Sequence, residues 1–569
     1  MEKKFMWLFT SCLIVFSLVL VSLAPAAEKA ENPKYGGTFI GLSELSNRKP
    51  TGWDPGKLMW LFSEYGGFYM DKLVGGDEKK GPKGTGEFSF HEATNIPDDY
   101  LKGDLAESWE FPNPETLIFH IRKGVMWQEK PGVMKARELT AEDVAFAFNR
   151  TFFHGPVKAT GGRYDDIKSI TAVDRYTLKI EWKKFYADWP SLIGYGYYSE
   201  IYPPEMVEAG PNDWKNACGT GPFMLTNFIS GSSLTFERNP NYWGKTIING
   251  KEYQLPFVDK IIYPYITDDS VRVAAIRTAR VDLVHGMGWQ YKETLKKSTP
   301  ELKVYPMLYA GAGSIGMRCD KKPFDDIRVR RAMNMAIDRQ AFVQTLFGGN
   351  GKILSFPFYS GWPETIYTPV EKLPKSAREL FEYNPEKAKK LLAEAGYPNG
   401  FKTNCFVPSI PLETDYLQFV ASYWAKIGVQ CTLDVREYSS YQSATLAGHH
   451  DQMAHRTNTC ATPFSGLRKV AMPRSAWNLA RWNDKGFEDT FSKALSEPAK
   501  KKRDKTLKDL NIYMIDQSPM VILPAYYTFT YTWPWVKNYH GENSFHCYGR
   551  SGVWMHIWLD QALKKKMGK

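Results

Sequence analysis

Residues 329–339 read VRRAMNMAIDR, and five further blocks stand in one order around them. These are LAESWE from Leu105, LTAEDV from Leu139, GTGPF from Gly219, ERNPNYWG from Glu237 and EKAKKLLAEAGYP from Glu386. The block VRRAMNMAIDR belongs to a longer helical pattern, Asp326–Phe347. The apolar stripe of this pattern is formed by Val329, Met333, Ile337 and Phe342. Gly348 and Gly349 end that pattern. The stripe therefore predicts a helical stretch packed on a core.

Strand-like segments alternate with helical ones along the chain. Thr116–Ile121 and Arg175–Trp182 read as strands, and Ala141–Arg150 reads as a helix capped by Thr140. A further helix starts at Asn384-Pro385 and ends before Gly396. This alternation predicts a mixed α/β architecture.

The six blocks together resemble the extracellular solute-binding proteins of family 5, the dipeptide, oligopeptide and nickel type that serves ABC importers. The resemblance runs from about Tyr35 to about Tyr527. It implies a two-lobed periplasmic-binding-protein fold of type II, of the large cluster C kind, with an extra subdomain in the first lobe. Mapped onto this sequence, the first lobe takes residues 28–74, 217–305 and 511–569. The inserted subdomain takes 75–216, and the second lobe takes 306–510.

The N-terminus reads as a secretion signal. Lys3 and Lys4 precede an apolar run from Phe5 to Leu23, and Ala24-Pro25-Ala26 is a small-residue cleavage pattern. We expect residues 1–26 to be a signal peptide and the mature chain to be periplasmic. The alternative is a retained anchor, because the run approaches the roughly 20 residues that span a bilayer.

Composition fits a globular chain of two or three domains, with 43% hydrophobic and 24% charged residues among 569. The formal net charge is +11. Its basic runs lie in helix-like polar stretches, such as Lys500–Arg503, and are read as solvated faces. Basic and aromatic residues do not interleave as in nucleic-acid motifs, so we expect no nucleic-acid partner. We expect a monomer.

Seven cysteines occur, and Cys12 lies in the predicted leader. The other six lack CxxC spacing, so we expect mostly free thiols with one disulfide possible. Cys405 and Cys431 are the first pair to inspect, because they lie in strand-like segments on either side of one helix-like segment.

Catalytic patterns are missing from the sequence. It has no GxSxG, no HExxH and no Walker lysine. Gly311, Gly313 and Gly316 match GxGxxG, but the residues that follow do not open a helix as a dinucleotide fingerprint requires. His449, His450 and His455 are the nearest approach to a metal cluster, and their spacing is not a metal pattern. We therefore expect no enzyme, metal or cofactor.

The main ligand candidates are His455, Arg456, Thr457 and Asn458. In peptide-binding relatives the corresponding stretch commonly carries a Gly-Trp segment and an aspartate that anchors the peptide's amino terminus. This chain lacks that aspartate. A buried ammonium needs an opposite charge, whereas these residues offer donors and neutral acceptors, which suit an anionic or oxygen-rich solute. The alternative is that Arg456 is an exposed loop charge.

Further candidates are Trp289, Tyr359 and Trp362, in regions that tend to approach the cleft in the resembled family. Each could stack on a solute or belong to the core. Arg318 lies near a position where relatives often have asparagine on a cleft-edge strand. If it points inward, it favours a carboxylate-bearing ligand.

These observations predict a periplasmic receptor that hands a small organic solute, peptide-like or oxygen-rich and anionic, to a membrane ABC permease and ATPase complex. Closure of two lobes around the solute would signal the loaded state. Two alternatives stay open: a secreted hydrolase or other enzyme on the same fold, and a sensory or chaperone-like binding protein without a transporter.

The stretch between Val74 and Leu105 is rich in Gly, Lys and Pro and reads as a long surface loop.

Overall fold

The structure, a computed structural model, describes residues 31–57, 61–91, 95–154, 164–309, 311–459 and 462–569. The predicted signal peptide, residues 1–26, lies outside the described residues, as does Cys460. Among the described residues, no helix combines the length and apolar character needed to cross a bilayer.

The elements up to residue 309 are strands and short helices. Up to residue 216 they are β1 (Thr38–Leu42), α1 (Phe62–Gly66), β2 (Val74–Gly76), β3 (Leu101–Gly103), β4 (Ala106–Asn113), β5 (Thr116–Ile121), α2 (Ala141–Phe153), β6 (Ile167–Asp174), β7 (Thr177–Trp182) and α3 (Pro204–Glu208). There follow β8 (Phe223–Ile229), β9 (Ser233–Arg238), β10 (Lys245–Ile248), β11 (Lys251–Gln254), β12 (Lys260–Pro264), α4 (Asp269–Arg277), β13 (Leu283–Met287), α5 (Lys292–Ser298) and β14 (Lys303–Leu308).

The rest of the chain is richer in helices. It forms β15 (Gly311–Met317), α6 (Ile327–Met335), α7 (Arg339–Phe347), β16 (Gly351–Lys352), α8 (Lys375–Arg378), α9 (Pro385–Glu394), β17 (Lys402–Pro408), α10 (Pro411–Ala425), β18 (Gln430–Arg436), α11 (Tyr438–Leu446), β19 (Met453–Thr459), α12 (Pro463–Ala471), α13 (Lys485–Leu495) and α14 (Lys500–Gln517). The last elements are β20 (Met520–Ile522), β21 (Ala525–Thr532), β22 (Val536–Lys537), α15 (Ser551–Trp554), β23 (Trp558–Leu559) and α16 (Gln561–Lys566).

Local sequence chemistry accounts for several helix boundaries. Thr140 and Asp143 form a reciprocal capping box at the start of α2. The single helical stretch predicted for Asp326–Phe347 is two helices, α6 and α7, because Asp338 accepts a hydrogen bond from the Ala341 N–H and starts a new helix. Its end at left-handed Gly348 agrees with the prediction.

The largest sheet has eight strands in the order β14-β21-β13-β1-β12-β9-β8, with β16 paired to β21. Its central strand, β1, runs parallel to both β12 and β13. The carboxyl ends of these three strands therefore lie at one edge of the sheet, where open α/β sheets bind their ligands.

A second sheet has five strands in the order β18-β17-β19-β15-β20. Its strand β17 runs parallel to β18 and β19, so three carboxyl ends again share one edge. The three glycines of β15 belong to a strand rather than to a helix start. At Gly313 an added Cβ would lie 2.9 Å from the His455 ring, so glycine lets β15 pack closely against β19.

Two of the chain passages between these sheets run directly from one strand to the next. The first leads from β14 to β15 through Tyr309, and the second leads from β20 to β21. The Tyr309 N–H donates to the Tyr526 carbonyl across the passage, at 2.9 Å. The passage from β14 to β15 lies close to the first predicted lobe boundary, at 305–306. The passage from β20 to β21 lies later in the chain than the second predicted boundary, at 510–511. The boundaries themselves stay predictions.

A third sheet of four strands, β4-β5-β7-β6, lies within the predicted subdomain and carries α2 on one face. From its composition we predicted that the stretch between Val74 and Leu105 is a long surface loop. The structure shows that it is not a plain surface loop. β2 pairs with β3, and Phe88 and Phe90 are buried between them and Phe545. Aromatic burial outweighs the loop-like composition there.

Candidate ligand-binding site

The carboxyl edges of the two larger sheets bound a cleft, which we call the interlobe cleft. On the eight-stranded sheet, Glu44 follows β1, Tyr265 follows β12 and Trp289 follows β13. On the five-stranded sheet, Glu413 lies in the first turn of α10 after β17, and Tyr438 starts α11 after β18. Carboxyl edges of parallel strands are the usual ligand sites of such sheets.

Two stacked tyrosines close the cleft at the passages between the sheets. The rings of Tyr309 and Tyr526 lie 5.1 Å apart at 11°. Burial, together with the nearby carboxylates of Glu44 and Glu413, raises the pKa of Tyr309 to about 12. These carboxylates belong to opposite sheets, so both sides of the cleft meet at Tyr309. Both phenols stay neutral at physiological pH and can donate or accept a hydrogen bond.

The wall from the eight-stranded sheet is built on an internal ion-pair cluster. Arg550 is fully buried, lying 2.5 Å from Glu44 and 3.4 Å from Glu64. Burial raises the pKa of Glu64, against the lowering effect of Arg550. Glu44 Oε1 contacts Arg550, whereas Glu44 Oε2 accepts no hydrogen bond from a described residue. That oxygen is a candidate acceptor for a solute.

The wall from the five-stranded sheet presents Glu413, which is mostly buried. Its Oε2 lies 3.4 Å from His455 Nε2. Burial alone would raise the pKa of Glu413, but the nearby polar and charged side chains of His455, Thr457 and Arg456 outweigh burial and lower it. The start of α10 also favours a negative charge at this position. Glu413 therefore stays ionised within the cleft wall.

The four candidates on β19 divide between the two faces of the strand. His455 and Thr457 face α10 and contact Glu413. Arg456 and Asn458 lie on the opposite face, where Asn458 donates to Ser314 Oγ at 3.1 Å. Arg456 is a buried strand residue rather than an exposed loop charge, with 7% of its surface accessible.

Arg318 lies apart from the other candidates. It follows β15, whose residue Met317 pairs with Met453 at the amino end of β19, so Arg318 lies at the opposite edge from the cleft. Its guanidinium pairs with Asp320 at 2.7 Å and donates to the Gly448 and His450 carbonyls. Its charge is thus compensated within the five-stranded sheet's own surroundings.

The aromatic candidates occupy different places. Trp289 follows β13 at the cleft edge, and its indole N–H donates to the Leu346 carbonyl at 3.0 Å. Tyr359 is buried and donates to the Leu308 carbonyl. Trp362 is buried in the wall of a cavity of about 70 Å³ between the predicted subdomain and second lobe, together with Asp98, Phe464 and Arg503. The rings of Tyr359 and Trp362 lie edge to face, with their centres 6.5 Å apart.

Sequence reasoning missed the carboxylates and tyrosines of the cleft. Glu44, Glu413, Tyr309 and Tyr526 were not among the candidates. The available signal was positional: Glu44 follows a strand by two residues, and Glu413 opens a helix directly after one. Tyr309 and Tyr526 give no local signal, because only the pairing of distant segments brings them together.

Contacts also link the predicted subdomain to the predicted second lobe. Arg503 Nη2 lies 2.6 Å from Asp98 Oδ2, and the Ala187 N–H donates to the Leu495 carbonyl at 2.8 Å. Arg468 lies 3.8 Å from Asp188 and donates to the Tyr186 hydroxyl. We call these contacts the subdomain latch.

The histidines and cysteines singled out from the sequence can now be placed in the structure. In the part of the chain that the structure describes, no group of three or more His, Cys, Asp or Glu side chains could hold a metal ion. His450 is buried, which lowers its pKa to about 4, and its Nε2 contacts the Leu479 carbonyl at 2.7 Å. Cys405 and Cys431, the pair singled out for a disulfide, are free thiols.

Two sheets with facing carboxyl edges, joined by crossing strands around a polar cleft, define a two-lobed solute-binding protein. Residues 101–466 match the family of bacterial extracellular solute-binding proteins, family 5. The chain belongs to this family, which confirms the resemblance carried by the six sequence blocks. The predicted fold class and the solute-binding role in ABC import are confirmed as well.

Relatives show the same class. The chain is 26% identical over 467 residues to heme-binding protein A of Haemophilus influenzae, covering 76% of this chain and 81% of that one. It is 27% identical over 455 residues to the dipeptide-binding protein of Escherichia coli, covering 74% and 80%. A periplasmic binding protein of Helicobacter pylori, solved with the peptide STSA, superposes with a TM-score of 0.71 at 24% identity, covering 93% and 99%.

Proposed function

We propose that this protein is a periplasmic receptor that captures a small peptide-like solute with a free amino group and hands it to an ABC permease and ATPase complex. The observation that carries the proposal is the placement of two carboxylates, Glu44 and Glu413, on opposite walls of one cleft. An ammonium group has three donors and no acceptor, so it suits a site with carboxylate acceptors on both sides. Binding both walls at once would favour the closed arrangement.

The same geometry favours an amine over a purely anionic solute at this point of the cleft. The lowered pKa of Glu413 keeps a negative charge in this wall, which would repel a lone anion. The tyrosine pair Tyr309 and Tyr526 offers neutral hydroxyls that can bind peptide carbonyl and N–H groups. A relative named as a dipeptide-binding protein supports the peptide-like reading. Glu413 takes the role of the anchoring aspartate that we found missing from the β19 stretch.

The enzyme alternative has no support at the site. Catalysis would need a nucleophile or a base held by an orienting partner beside the cleft. The relatives named above are binding proteins, and the cleft offers carboxylates already held by Arg550 and His455. The sensory alternative differs only in its partner, so we propose the transporter on the basis of the family.

The proposal predicts that the two lobes close when the solute binds, and this closure can be measured. Small-angle X-ray scattering of the purified protein should show a smaller radius of gyration when a pool of free dipeptides and tripeptides is added, and no change with the N-acetylated pool. Tryptophan fluorescence titrations with the same pools give the affinities. Equal binding of both pools would contradict the carboxylate clamp, and no binding of either would contradict the peptide-like solute.

A further inference from the structure

Three separate segments meet at the amino edge of the eight-stranded sheet, opposite to the interlobe cleft. They are residues 31–37, which lead into β1, the hairpin of β10 and β11, which precedes β12, and α16. The Asn249 side-chain amide donates to Asn32 Oδ1 at 3.2 Å. Lys34 Nζ lies 3.0 Å from Asp560 Oδ1, at the start of α16. We call the surface formed by these segments, together with Arg280 before β13, the amino-edge face.

The amino-edge face carries uncompensated positive charge. Its carboxylates are paired: Glu31 with Lys537 at 2.7 Å, and Glu252 with Lys245 at 2.8 Å. Five exposed basic side chains of the face, in contrast, form no ion pair with a carboxylate of the described residues: Lys251, Arg280, Lys565, Lys566 and Lys569. An anionic partner would meet no unpaired acid of these three segments.

The helix that bears most of this charge is held firmly on the sheet. Lys564 Nζ donates to Asp282 Oδ1 at 2.8 Å, and that buried carboxylate also accepts from the Trp535 indole at 2.8 Å. Because successive helix residues are 100° apart, Lys566 points almost opposite to Lys564. The exposed lysines therefore project from a fixed support into solvent.

The hairpin adds apolar surface to the same face. Ile247 is 63% exposed, more than any other large hydrophobic side chain that the structure describes as exposed. It lies next to a tight turn in which Asn249 and Gly250 both have left-handed backbone angles. Tyr35 beside the hairpin is 45% exposed, and its hydroxyl donates to the Gln254 carbonyl at 2.8 Å. Apolar tips flanked by lysines suit the interface of a bilayer.

The chain enters the molecule through this face. The apolar run Phe5–Leu23 is followed by seven residues, Ala24–Ala30, before Glu31. A segment of that length spans at most about 30 Å. While the apolar run is within a bilayer, before cleavage of the predicted signal peptide, the amino-edge face must therefore lie close to the membrane surface.

We propose that the amino-edge face docks on an anionic lipid surface. Its lysines meet the lipid headgroups, and Ile247 enters the boundary between headgroups and acyl chains. The interlobe cleft then faces away from the bilayer, so the receptor can capture solute while it is held at the membrane. Because salt screens exposed charges, this attachment is reversible, and the receptor can leave the lipid to reach its permease.

The test is co-sedimentation of the mature chain, residues 27–569, with vesicles of phosphatidylcholine alone or mixed equally with phosphatidylglycerol. The main variant is Lys565→Gln/Lys566→Gln. Its matched control is Lys296→Gln/Lys297→Gln, which removes two exposed lysines from the last turn of α5, a short helix that follows β13 at the cleft edge. Thermal melting checks the folding of each variant. No solute is added, so the result does not depend on the proposed function.

The wild type should bind the anionic vesicles at least about 10-fold more tightly than the neutral ones, and high salt should weaken that binding. Each lysine near an anionic surface contributes about 5-fold. Lys565→Gln/Lys566→Gln should therefore bind about 10-fold or more weakly, whereas the α5 control should bind like the wild type. Equal losses in the two double variants would mean that net charge alone acts, and would overturn the proposal.

Two further variants extend the test to the rest of the face. Lys251→Gln/Arg280→Gln leaves α16 intact and should also weaken anionic vesicle binding, so the test holds if the α16 variant does not fold. Ile247→Ser should weaken vesicle binding without changing its salt dependence. No preference of the wild type for anionic vesicles would overturn the proposal. Binding to the soluble polyanion heparin without binding to vesicles would overturn it as well.

Discussion

The two walls of the interlobe cleft handle buried charge in opposite ways. On the eight-stranded sheet, Arg550 is enclosed by Glu44 and Glu64, so the protein compensates its own charge. On the five-stranded sheet, Arg456 stacks on Trp477, which is 37% exposed, and no carboxylate of the described residues is in direct contact with it. The first wall therefore compensates its buried charge within the protein, and we propose that the second wall contacts the solute.

Removing the central charge of the first wall should have the largest effect. Arg550→Met leaves Glu44 and Glu64 facing each other without their cation. Breaking a buried pair in this way costs about 3–5 kcal/mol, so urea unfolding should show that loss of stability. The double variant Arg550→Met/Glu64→Gln should recover part of it. A stability unchanged in the single variant would mean that the first wall is not a structural ion-pair cluster.

A third case of buried charge is Asp71, which is hydrogen-bonded by Thr220 and Trp243 and should make stability depend on pH. Burial raises the pKa of Asp71 from 3.8 to about 6, although Trp243 and Thr220 donate to its carboxylate, with Asp104 and His546 nearby. The folded state therefore holds a proton that the unfolded state has lost between pH 4 and 6. The free energy of unfolding should fall by about 3 kcal/mol as pH rises through that range.

The control for that prediction is Asp71→Asn, which keeps one acceptor oxygen and cannot titrate. Urea unfolding at pH 4.5 and at pH 7 should show the fall in the wild type and a smaller fall in the variant. If the free energy of unfolding had the same pH dependence in both proteins, Asp71 would not be the cause of the fall in stability. Solute affinity at constant pH should differ little between them, since the hydrogen-bond donors of Asp71, Thr220 and Trp243, are not among the proposed cleft residues.

On the second wall, Glu413→Gln should act on binding rather than on folding. Loss of an ionised partner in a mostly buried site costs about 2 kcal/mol or more, which lowers affinity for free peptides by about 30-fold. The control is Asp415→Asn, an exposed acid on the same helix. Fluorescence titration with free peptides measures the affinity of each variant. Equal affinities for wild type and Glu413→Gln would show that Glu413 does not bind the amino group of the solute.

The subdomain latch should give the smallest effect. Arg503 pairs with Asp98, whose side chain is 40% exposed, so solvent screening reduces the contribution to about 1 kcal/mol. Arg503→Ala should raise the radius of gyration of the unliganded protein slightly. Lys505→Ala, which removes an exposed pair with Asp509 on the same helix, should leave it unchanged. Equal scattering for both variants would argue that the latch does not contribute to closure.

Much of the fold could be predicted from sequence because its signals are local. The strand Thr116–Ile121 and the Thr140 cap of α2 are as predicted, since alternation and capping act within a few residues. The break at Asp338 was missed because the apolar stripe continues across two helices. The burial of Phe88 and Phe90 was missed because it depends on Phe545, more than 450 residues away in sequence.

The candidate site could be predicted only in part. The stretch His455–Asn458 does lie at the cleft edge of the five-stranded sheet, and no comparison tests its role, so its residues stay proposed. Alternation along β19 separates Arg456 from Thr457, which sequence reading treated as one loop. Arg318 lies at the other edge because β15 runs antiparallel to β19, and strand direction is not visible in a single sequence.

Native mass spectrometry of the protein purified from the periplasm tests the central claim most directly, with denaturation afterwards to release and weigh any bound solute. The account predicts one small solute per chain that reacts with an amine reagent. A solute without a free amino group, or a chain that stays unliganded when offered the free peptide pool, would contradict it.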